Sequence, residues 1–180
     1  MPDPAMPIPV FPQLPSRVLR LLPLAPLSLS LTAYAKSVAK HHPGLFRRLG
    51  EHANARFLLD PTDLPFAILL EPRQGSPKVT VTRKSGGEDA KIAGPMAALL
   101  GLVHGAYDGD ALFFSRDLVV QGDTAAALAL RNAVDDAELD MTQELSNLPR
   151  PLAQPLKQLA ALAERRTGVC LSRPEESMAW

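Results

Sequence analysis

Apolar residues follow two different periods along the chain, and the change of period separates predicted helices from predicted strands. After Pro26, the apolar residues Leu27, Leu31, Tyr34 and Val38 recur at helical spacing, with serines and lysines on the opposite side. Because an α-helix turns once every 3.6 residues, this pattern predicts an amphipathic helix. Such a helix is expected to bury its apolar side against another element.

Two further helices are predicted near the start of the chain. One covers about residues 45–54, and the "HHPG" of residues 41–44 separates it from the helix before it. The other is a short amphipathic helix at about residues 16–22. It follows a proline-rich start, residues 1–15, which predicts an extended arm because proline fixes φ and lacks an amide proton.

The period then changes to that of β-strands. Three short apolar or alternating segments, bounded by Pro, Gly and Asp, predict a meander of antiparallel strands with "SGGED" (85–89) as a hairpin tip. These segments are "ARFLLD" (55–60), "PFAILLEP" (65–72) and "KVTVTR" (78–83). Two more strands are predicted in "ALFFSR" (111–116) and "LVVQGD" (118–123).

Three more helices are predicted: one before these last two strands, one directly after them, and one near the end of the chain. "KIAGPMAALLGLVHG" (91–105) predicts the end of a strand and then a helix that starts at Pro95 and carries no charge, so that it is buried or faces something apolar. Residues 124–140 predict a helix with an acidic outer side. An amphipathic helix after the "NLPRP" linker is expected to stop at Gly168. This order predicts an α+β fold, with helices on a mostly antiparallel sheet.

Gly122, Asp123 and Thr124 stand between a predicted strand and an alanine-rich helix, an order that often holds a phosphate. The dinucleotide-binding loop needs three glycines, and the P-loop needs a Gly-Lys pair. Here there is one glycine and no lysine, and the aspartate would repel a phosphate. Asp123 or Thr124 is instead a good helix cap, so the turn is predicted to be structural.

Charge is balanced over the whole chain but not along it. The 180 residues contain 19 basic and 19 acidic side chains, so there is no net basic field of the kind typical of nucleic-acid-binding domains. Residues 1–59 carry seven basic and two acidic side chains, and residues 115–145 carry two and seven. The basic part suits an anionic membrane surface, and two solvated faces of opposite charge are the equally weighted alternative. The membrane-facing candidates are Arg17, Arg20, Lys36, Lys40, Arg47 and Arg48.

Residue types that carry catalysis or bind metals do not form a known motif here. The histidines, His41, His42, His52 and His104, lack metal-ligand spacing, and the sequence has neither GxSxG nor CxxC. We therefore predict no catalytic residue, no metal site and no cofactor. The single cysteine, Cys170, excludes an internal disulfide and fits a reducing compartment.

Residues 17–35 have the outline of a secretory signal, with arginines, an apolar run and an Ala-Tyr-Ala triplet. Pro23 and Pro26 interrupt the run, and an acidic, proline-rich leader precedes it, so a cleaved signal is the less favoured interpretation. No stretch approaches 18 uninterrupted apolar residues, and no transmembrane helix is predicted.

Apolar side chains are in excess on the predicted strands. Phe66, Ile68 and Leu70 alternate with Ala67 and Leu69, so both faces of one strand are apolar. A packed core explains each residue singly, whereas the set beside an uncharged helix also suits a cavity for a flexible aliphatic ligand. Composition does not separate these interpretations. The cavity candidates are Phe57, Phe66, Ile68, Leu70, Leu99, Val103, Phe113, Phe114, Val119, Leu128, Leu130 and Val134.

The stretch "DALFFSRDLVVQGDTAAALALRNAVDDAELD" (110–140) resembles the end of the sterol carrier protein type 2 domain. It resembles more closely a bacterial lipid-carrier branch associated with oxygen-independent ubiquinone biosynthesis. That branch shows a similar D-x-L-x-F-x-R-x-L-x-I-x-G-D-T pattern, filled here by residues 110–124, and an acidic N-x-x-D-A-x-E-L helix end, filled approximately by residues 132–139. More weakly, the resemblance extends over about residues 27–145.

The resemblance implies an α+β fold in which a five-stranded, mostly antiparallel sheet packs with helices and encloses an apolar cavity. It divides the chain into a proline-rich arm with a short helix (1–26), a lipid-binding domain (27–145), and a C-terminal amphipathic helix and tail (146–180). Such domains bind sterols, fatty acyl chains, phospholipids or isoprenoids and catalyse nothing.

For this branch, the implied function is a non-catalytic carrier that presents hydrophobic isoprenoid quinone intermediates to oxygen-independent hydroxylases. The implied partners are iron–sulfur proteins of the peptidase U32 type, so any iron belongs to them. The expected location is cytoplasmic, with peripheral contact at the inner membrane left open. A phospholipid adaptor that reads phosphatidic acid is the alternative within this fold. An enzyme with a hydrophobic substrate, such as a thioesterase, is a third hypothesis, for which we find no positioned acid or base.

Overall fold

The computed structural model describes residues 24–84, 86–104, 116–137 and 148–167. These residues form helices and strands in the α+β arrangement that was predicted. In chain order they are α1 (Leu24–His41), α2 (Pro43–Arg48), a 3-10 turn (Gly50–Asn54), β1 (Phe57–Pro61), β2 (Ala67–Glu71), a second 3-10 turn (Arg73–Gly75), β3 (Lys78–Thr82), β4 (Ala90–Gly94), α3 (Met96–His104), β5 (Val119–Gly122), α4 (Thr124–Ala137) and α5 (Arg150–Thr167). The helix predicted at residues 16–22 and residues 111–115 of a predicted strand lie outside the described residues.

The first helix confirms the periodicity of the sequence, whereas the second differs from its prediction. Leu27 and Val38 of α1 are buried. The helix ends before Pro43, because a residue that precedes proline is disfavoured in the helical region. The predicted helix over residues 45–54 is two elements, α2 and a 3-10 turn. Gly50 begins that turn with a φ of 53°, a left-handed conformation that an α-helix does not contain.

The sheet contains five strands in the order β3-β2-β1-β4-β5. β1, β2 and β3 form the predicted antiparallel meander, and β4 and β5 are also antiparallel. β1 and β4 pair in parallel, with Phe57 opposite Ala90 and Leu59 opposite Ile92. The prediction that "SGGED" is a hairpin tip was therefore wrong, because β3 and β4 are not neighbours; residues 86–89 belong to a crossover from the edge strand β3 to β4. A glycine-rich turn indicates a change of direction without indicating which strand the chain pairs with next.

Two glycines allow the chain to approach β4 closely. Gly122, at the end of β5, has a φ of 79°, and a side chain there would collide with the backbone carbonyl of Asp89. Gly94, at the end of β4, lies against the backbone of Asp117, where a side chain would also collide. Both ends of the β4–β5 pair therefore require a residue without a Cβ atom.

Two clusters of buried apolar residues hold the helices to the sheet. The main cluster joins α1, α2, α3 and α4 to β1 and β4, and consists of Val38, Leu45, Leu49, Phe57, Ala90, Ile92, Ala98, Leu99, Leu118, Ala126, Ala127, Leu130 and Ala133. The second cluster joins α1 and α5 to β3, and consists of Leu27, Phe66, Val81, Leu148, Ala153 and Leu156. None of the described helices combines the length and hydrophobicity that a membrane-spanning segment requires.

Candidate lipid-binding site

One face of the sheet is apolar along its full width. The strand register places alternate residues together on this inner face, because successive side chains of a strand point to opposite sides. The inner-face residues are Phe57, Leu59, Ile68, Leu70, Val79, Val81, Ala90, Ile92 and Val120. None of them is polar, and the helices of the main cluster cover several of them.

The opposite, outer face mixes apolar and charged residues. Leu58 is buried at its centre, with Ala67 and Leu69 beside it on β2. Lys91 Nζ and Asp60 Oδ2 form an ion pair there at 2.6 Å. The prediction that β2 is apolar on both faces therefore agrees with the structure, while the sheet as a whole has one apolar and one mixed face.

Small residues bring the helices close to the inner face. Ala126 and Ala133 of α4 and Ala98 of α3 have no exposed surface, and neither have Phe57 and Ile92 of the sheet. Close contact of this kind excludes water, so the inner face offers a ligand only apolar surface. In the described structure the inner-face residues pack against these helices, and the inner face of the strands carries no acidic or basic side chain.

The cavity candidates from the sequence fall into three sets: residues in or against the main cluster, residues elsewhere on or beside the sheet, and residues that are exposed or not described. Phe57, Leu99 and Leu130 are buried in the main cluster, and Leu70 and Val134 pack against it. Ile68 lies on the inner face, and Phe66 belongs to the second cluster with α1 and α5.

The third set consists of residues that are exposed or whose side chains are not described. Val119 and Leu128 are 47% and 53% exposed, which differs from the prediction. Val119 alternates to the outer face of the edge strand β5, and Leu128 is rotated by about 200° around α4 from the buried Leu130. Val103 lies in α3, and its side chain is not among those described; Phe113 and Phe114 lie outside the described residues.

The turn before α4 has the structural role that the sequence predicted. Asp123 Oδ1 accepts a hydrogen bond from the amide of Ala126 at 2.9 Å, which caps the helix. The amide of Asp123 donates to the carbonyl of Asp89 at 2.8 Å. The other carboxylate oxygen of Asp123 lies 3.7 Å from Nδ1 of His52. The turn therefore fixes the angle between β5 and α4.

Side chains that bind metals are dispersed in the described part of the chain. Among the described residues, no group of three or more His, Cys, Asp or Glu side chains lies close enough together to hold a metal ion. Cys170 lies outside the described residues.

The basic candidates for membrane contact are exposed where they are described. Lys36 and Lys40 lie on α1, and Arg47 and Arg48 lie on α2. Arg48 forms an ion pair with Asp136 of α4, so part of the positive charge on α2 is already balanced. The two remaining candidates, Arg17 and Arg20, lie outside the described residues.

Two hydroxyl residues of α1 have a role that the sequence analysis missed. Thr32 Oγ1 accepts from the amide of Val79 at 3.0 Å and donates to the carbonyl of the same residue at 2.9 Å. Ser28 Oγ accepts from the amide of Val81 at 2.9 Å. Because β3 is an edge strand, these backbone groups of Val79 and Val81 have no neighbouring strand to bond with, and the two hydroxyls bond with them instead. The spacing of Ser28 and Thr32, four residues apart on one helix face, was the available signal.

Comparison with known proteins gives a family and a fold. The model of the SCP-2 sterol transfer family matches residues 38–135. Among curated proteins, none matches the chain. A solved structure described as "UbiJ-SCP2 Ubiquinone synthesis protein" is similar to it, with 19% sequence identity, a TM-score of 0.53, and coverage of 65% of this chain and 96% of that one.

Two further structures are similar at lower TM-scores. A crystal structure of sterol carrier protein 2 is 16% identical, with a TM-score of 0.46 and coverage of 62% of this chain and 95% of that one. A protein of Thermus thermophilus, described as "possibly sterol carrier protein", is 17% identical, with a TM-score of 0.45 and coverage of 61% and 85%. Since the family model matches more than half of the residues, the chain belongs to the SCP-2 sterol transfer family and carries a lipid-binding domain of that family.

Proposed function

We propose that this protein is a non-catalytic carrier that binds isoprenoid quinone intermediates and presents them to oxygen-independent hydroxylases of ubiquinone biosynthesis. The observation that carries the proposal is the continuous apolar inner face of the sheet, covered by helices rich in alanine and leucine. The likeness to a structure described as a ubiquinone synthesis protein, together with the pattern over residues 110–140, supports quinone precursors as the cargo.

Removal of apolar surface from water would drive the binding. Burial is worth roughly 25 cal/mol per Å² of apolar surface, or about 0.8 kcal/mol per methylene group. A polyprenyl tail therefore gains several kcal/mol for each isoprene unit that enters the protein. The inner face has no polar residue that would oppose this transfer, and none that would specify a particular chain length.

The chemistry of hydroxylation would belong to the partner. The whole sequence has one cysteine, Cys170, which is too few for an iron–sulfur cluster held by four thiolates. Peptidase U32-type iron–sulfur proteins are the partners that the sequence resemblance implies. The carrier would keep the apolar tail out of water while the ring is presented to them.

The test is mass spectrometry of an organic extract of the protein, purified natively from anaerobic cells. We expect polyprenyl-phenol species at near-stoichiometric yield. A matched pair of variants shows whether the inner face holds them: Leu70→Ser on the inner face should lower the yield, and Leu128→Ser on the exposed side of α4 should not.

Other outcomes of this extraction would contradict the proposal. Phospholipid alone in the extract would favour the adaptor hypothesis, in which phosphatidic acid is the ligand. A protein that carries no lipid and binds none in vitro would mean that the inner face is only a packed core.

A further inference from the structure

A groove outside the main cluster runs between α1 and the edge strand β3. Its volume is about 770 Å³, and none of the described residues that line it belongs to the main cluster. Ser28 and Thr32 fix its two walls together through their hydrogen bonds to β3. We call it the α1–β3 groove. Its walls include Ala25, Leu29 and Lys36 from α1, and Arg73, Pro77 and Lys78 from β3 and the turn before it.

The charge in the α1–β3 groove has one sign. Lys36, Lys78 and Arg73 line it, and none of the described lining residues is acidic. Arg73 and Glu71 form an ion pair at 3.1 Å, so Arg73 is partly neutralised. Lys36 and Lys78 are exposed and form no ion pair within the described structure. The groove therefore presents two uncompensated cations to its occupant.

An apolar side chain lies beside these cations. Leu29 lines the groove and is 65% exposed, the most exposed large apolar residue in the described structure. Lys36 follows Leu29 at seven residues, which is two helical turns, so both side chains lie on one stripe of α1. An occupant that fits both features carries negative charge and large apolar side chains close together.

The C-terminal segment of the chain has this composition. Residues 168–180 follow α5 and lie outside the described residues; their sequence is GVCLSRPEESMAW. Glu175 and Glu176 stand close to Met178 and Trp180. The segment has one basic residue, Arg173, which a proline separates from the two glutamates. Two negative charges and two large apolar side chains therefore fall within six residues.

The segment is long enough to reach the groove from the end of α5. Leu156 of α5 belongs to the same cluster as Leu27, which lies in the part of α1 that lines the groove. From Leu156 to Thr167, α5 rises by about 16 Å. The eight residues from 168 to Glu175 span up to about 26 Å when extended. This length covers the return along α5 and the roughly 10 Å width of α1.

We propose that the α1–β3 groove is occupied by the chain's own C-terminal segment, residues 168–180. Glu175 and Glu176 pair with the two lysines, and Trp180 covers Leu29. A tethered segment meets the groove at an effective concentration of the order of millimolar, so it binds ahead of a free peptide of the same kind. The contact is autoinhibitory, because an acidic partner that uses the groove must first displace the segment. It lies apart from the inner face of the sheet, so it goes beyond the proposed function and does not depend on it.

Trp180 is the only tryptophan of the sequence, and its fluorescence reports the contact in the full chain. We expect emission at shorter wavelength, and weaker quenching by acrylamide, than in a free peptide of residues 168–180. Lys36→Glu with Lys78→Glu should lower the ratio of docked to free segment about tenfold, because an exposed ion pair changes an equilibrium by up to about fivefold. The control with the same charge change is Arg47→Glu with Lys84→Glu, both exposed and outside the groove.

Reversal of charge on both sides tests the pairing directly. Glu175→Lys with Glu176→Lys should free the segment, and the combination with the groove variant should restore the protection of the tryptophan. In the wild-type chain, a carbodiimide joins an amine to a carboxylate that touches it. We expect peptide mass spectrometry to find Lys36 or Lys78 joined to one of the two glutamates. Circular dichroism shows that each variant is folded.

A second pair of variants tests the apolar contact without a change of charge. Leu29→Ser should increase the quenching of Trp180, because the indole loses its apolar partner. Leu128→Ser, at a leucine exposed on α4, should leave the quenching unchanged. Equal effects of the two serines would contradict the contact with Leu29.

Other outcomes would overturn the proposal. A tryptophan as accessible in the full chain as in the free peptide would leave the groove to a partner from outside the chain. Protection that neither the groove variant nor the glutamate variant removes would place the segment elsewhere. Equal losses in the groove variant and in its charge-matched control would show a general charge effect. Protection that disappears on dilution would assign the groove to the segment of a second copy.

Discussion

Replacement of Thr32 by valine tests whether α1 protects the edge of the sheet. The hydroxyl of Thr32 satisfies both the amide and the carbonyl of Val79, at 3.0 and 2.9 Å. Valine keeps the branched shape of threonine and removes only the hydroxyl. The two backbone groups of Val79 would then lose their partner while the packing of α1 on β3 is kept.

The expected loss of stability follows from the burial of these groups. A buried polar group left without a partner costs about 1–3 kcal/mol. Both bonds are only partly buried, so the lower end of this range applies to each. We therefore expect Thr32→Val to lower the free energy of unfolding by about 2 kcal/mol. With a urea dependence of about 2 kcal/mol per M, the unfolding midpoint falls by about 1 M.

Urea unfolding followed by circular dichroism measures this change, and Thr32→Ser is the control. Serine keeps the hydroxyl and loses one methyl group, so it should cost less than about 1 kcal/mol. Amide hydrogen exchange adds a local test, in which Val79 loses protection and Thr80, which faces β2, keeps it. Equal midpoints for the valine and serine variants, with unchanged exchange at Val79, would refute the reasoning.

Three further substitutions, two of them with a control variant, test the turn before α4 and the contact between α2 and α4, each by urea unfolding. Asp123→Ala removes the helix cap and should cost about 1 kcal/mol, whereas Asp123→Asn should be nearly neutral; equal losses would assign the effect to charge. Gly122→Ala should cost more than about 2 kcal/mol, because it combines a positive φ with a backbone collision. Gly75→Ala, which has a positive φ but open space, should cost only about 1 kcal/mol; similar losses at the two glycines would contradict the collision. Arg48→Ala should cost less than about 1 kcal/mol, because its ion pair with Asp136 is exposed; a larger loss would show that the pair holds α2 to α4.

Local periodicity was sufficient to predict most elements of the fold. The spacing of apolar residues in α1 and the proline before α3 led to helices that the structure contains. The break at Gly50 could not be predicted in this way, because residues on both sides of it continue the same apolar pattern. The interruption of the helix coincides with one backbone angle, the φ of 53° at Gly50.

Contacts between distant parts of the chain were not accessible from the sequence pattern. The parallel pairing of β1 with β4 depends on which two alternating segments fit side by side, and a turn signal between β3 and β4 says nothing of this. Ser28 was assigned to the side of α1 opposite its apolar residues, and no role was predicted for Thr32, yet the two bond to residues 53 and 47 positions away. A hydroxyl group can form hydrogen bonds with water or with the backbone of an edge strand, so the presence of a serine or threonine does not show which partner it has.

The same limit explains why sequence alone could not separate core from cavity. Phe57 and Ile92 have no exposed surface, and the residues that cover them are mainly alanine and leucine from α3 and α4. An isoprenoid chain offers the sheet the same kind of surface as these helices do, and the gain per Å² of apolar contact is the same for both. A cavity for cargo and a packed core therefore differ in the empty volume between the side chains, not in the types of residue that line them. The described side chains here are packed against one another, so under the proposed function cargo at this part of the inner face would occupy room that the covering helices give up by moving. The alanines of α4 would favour such movement, since short side chains lose less contact surface than large ones when a helix shifts away from the sheet.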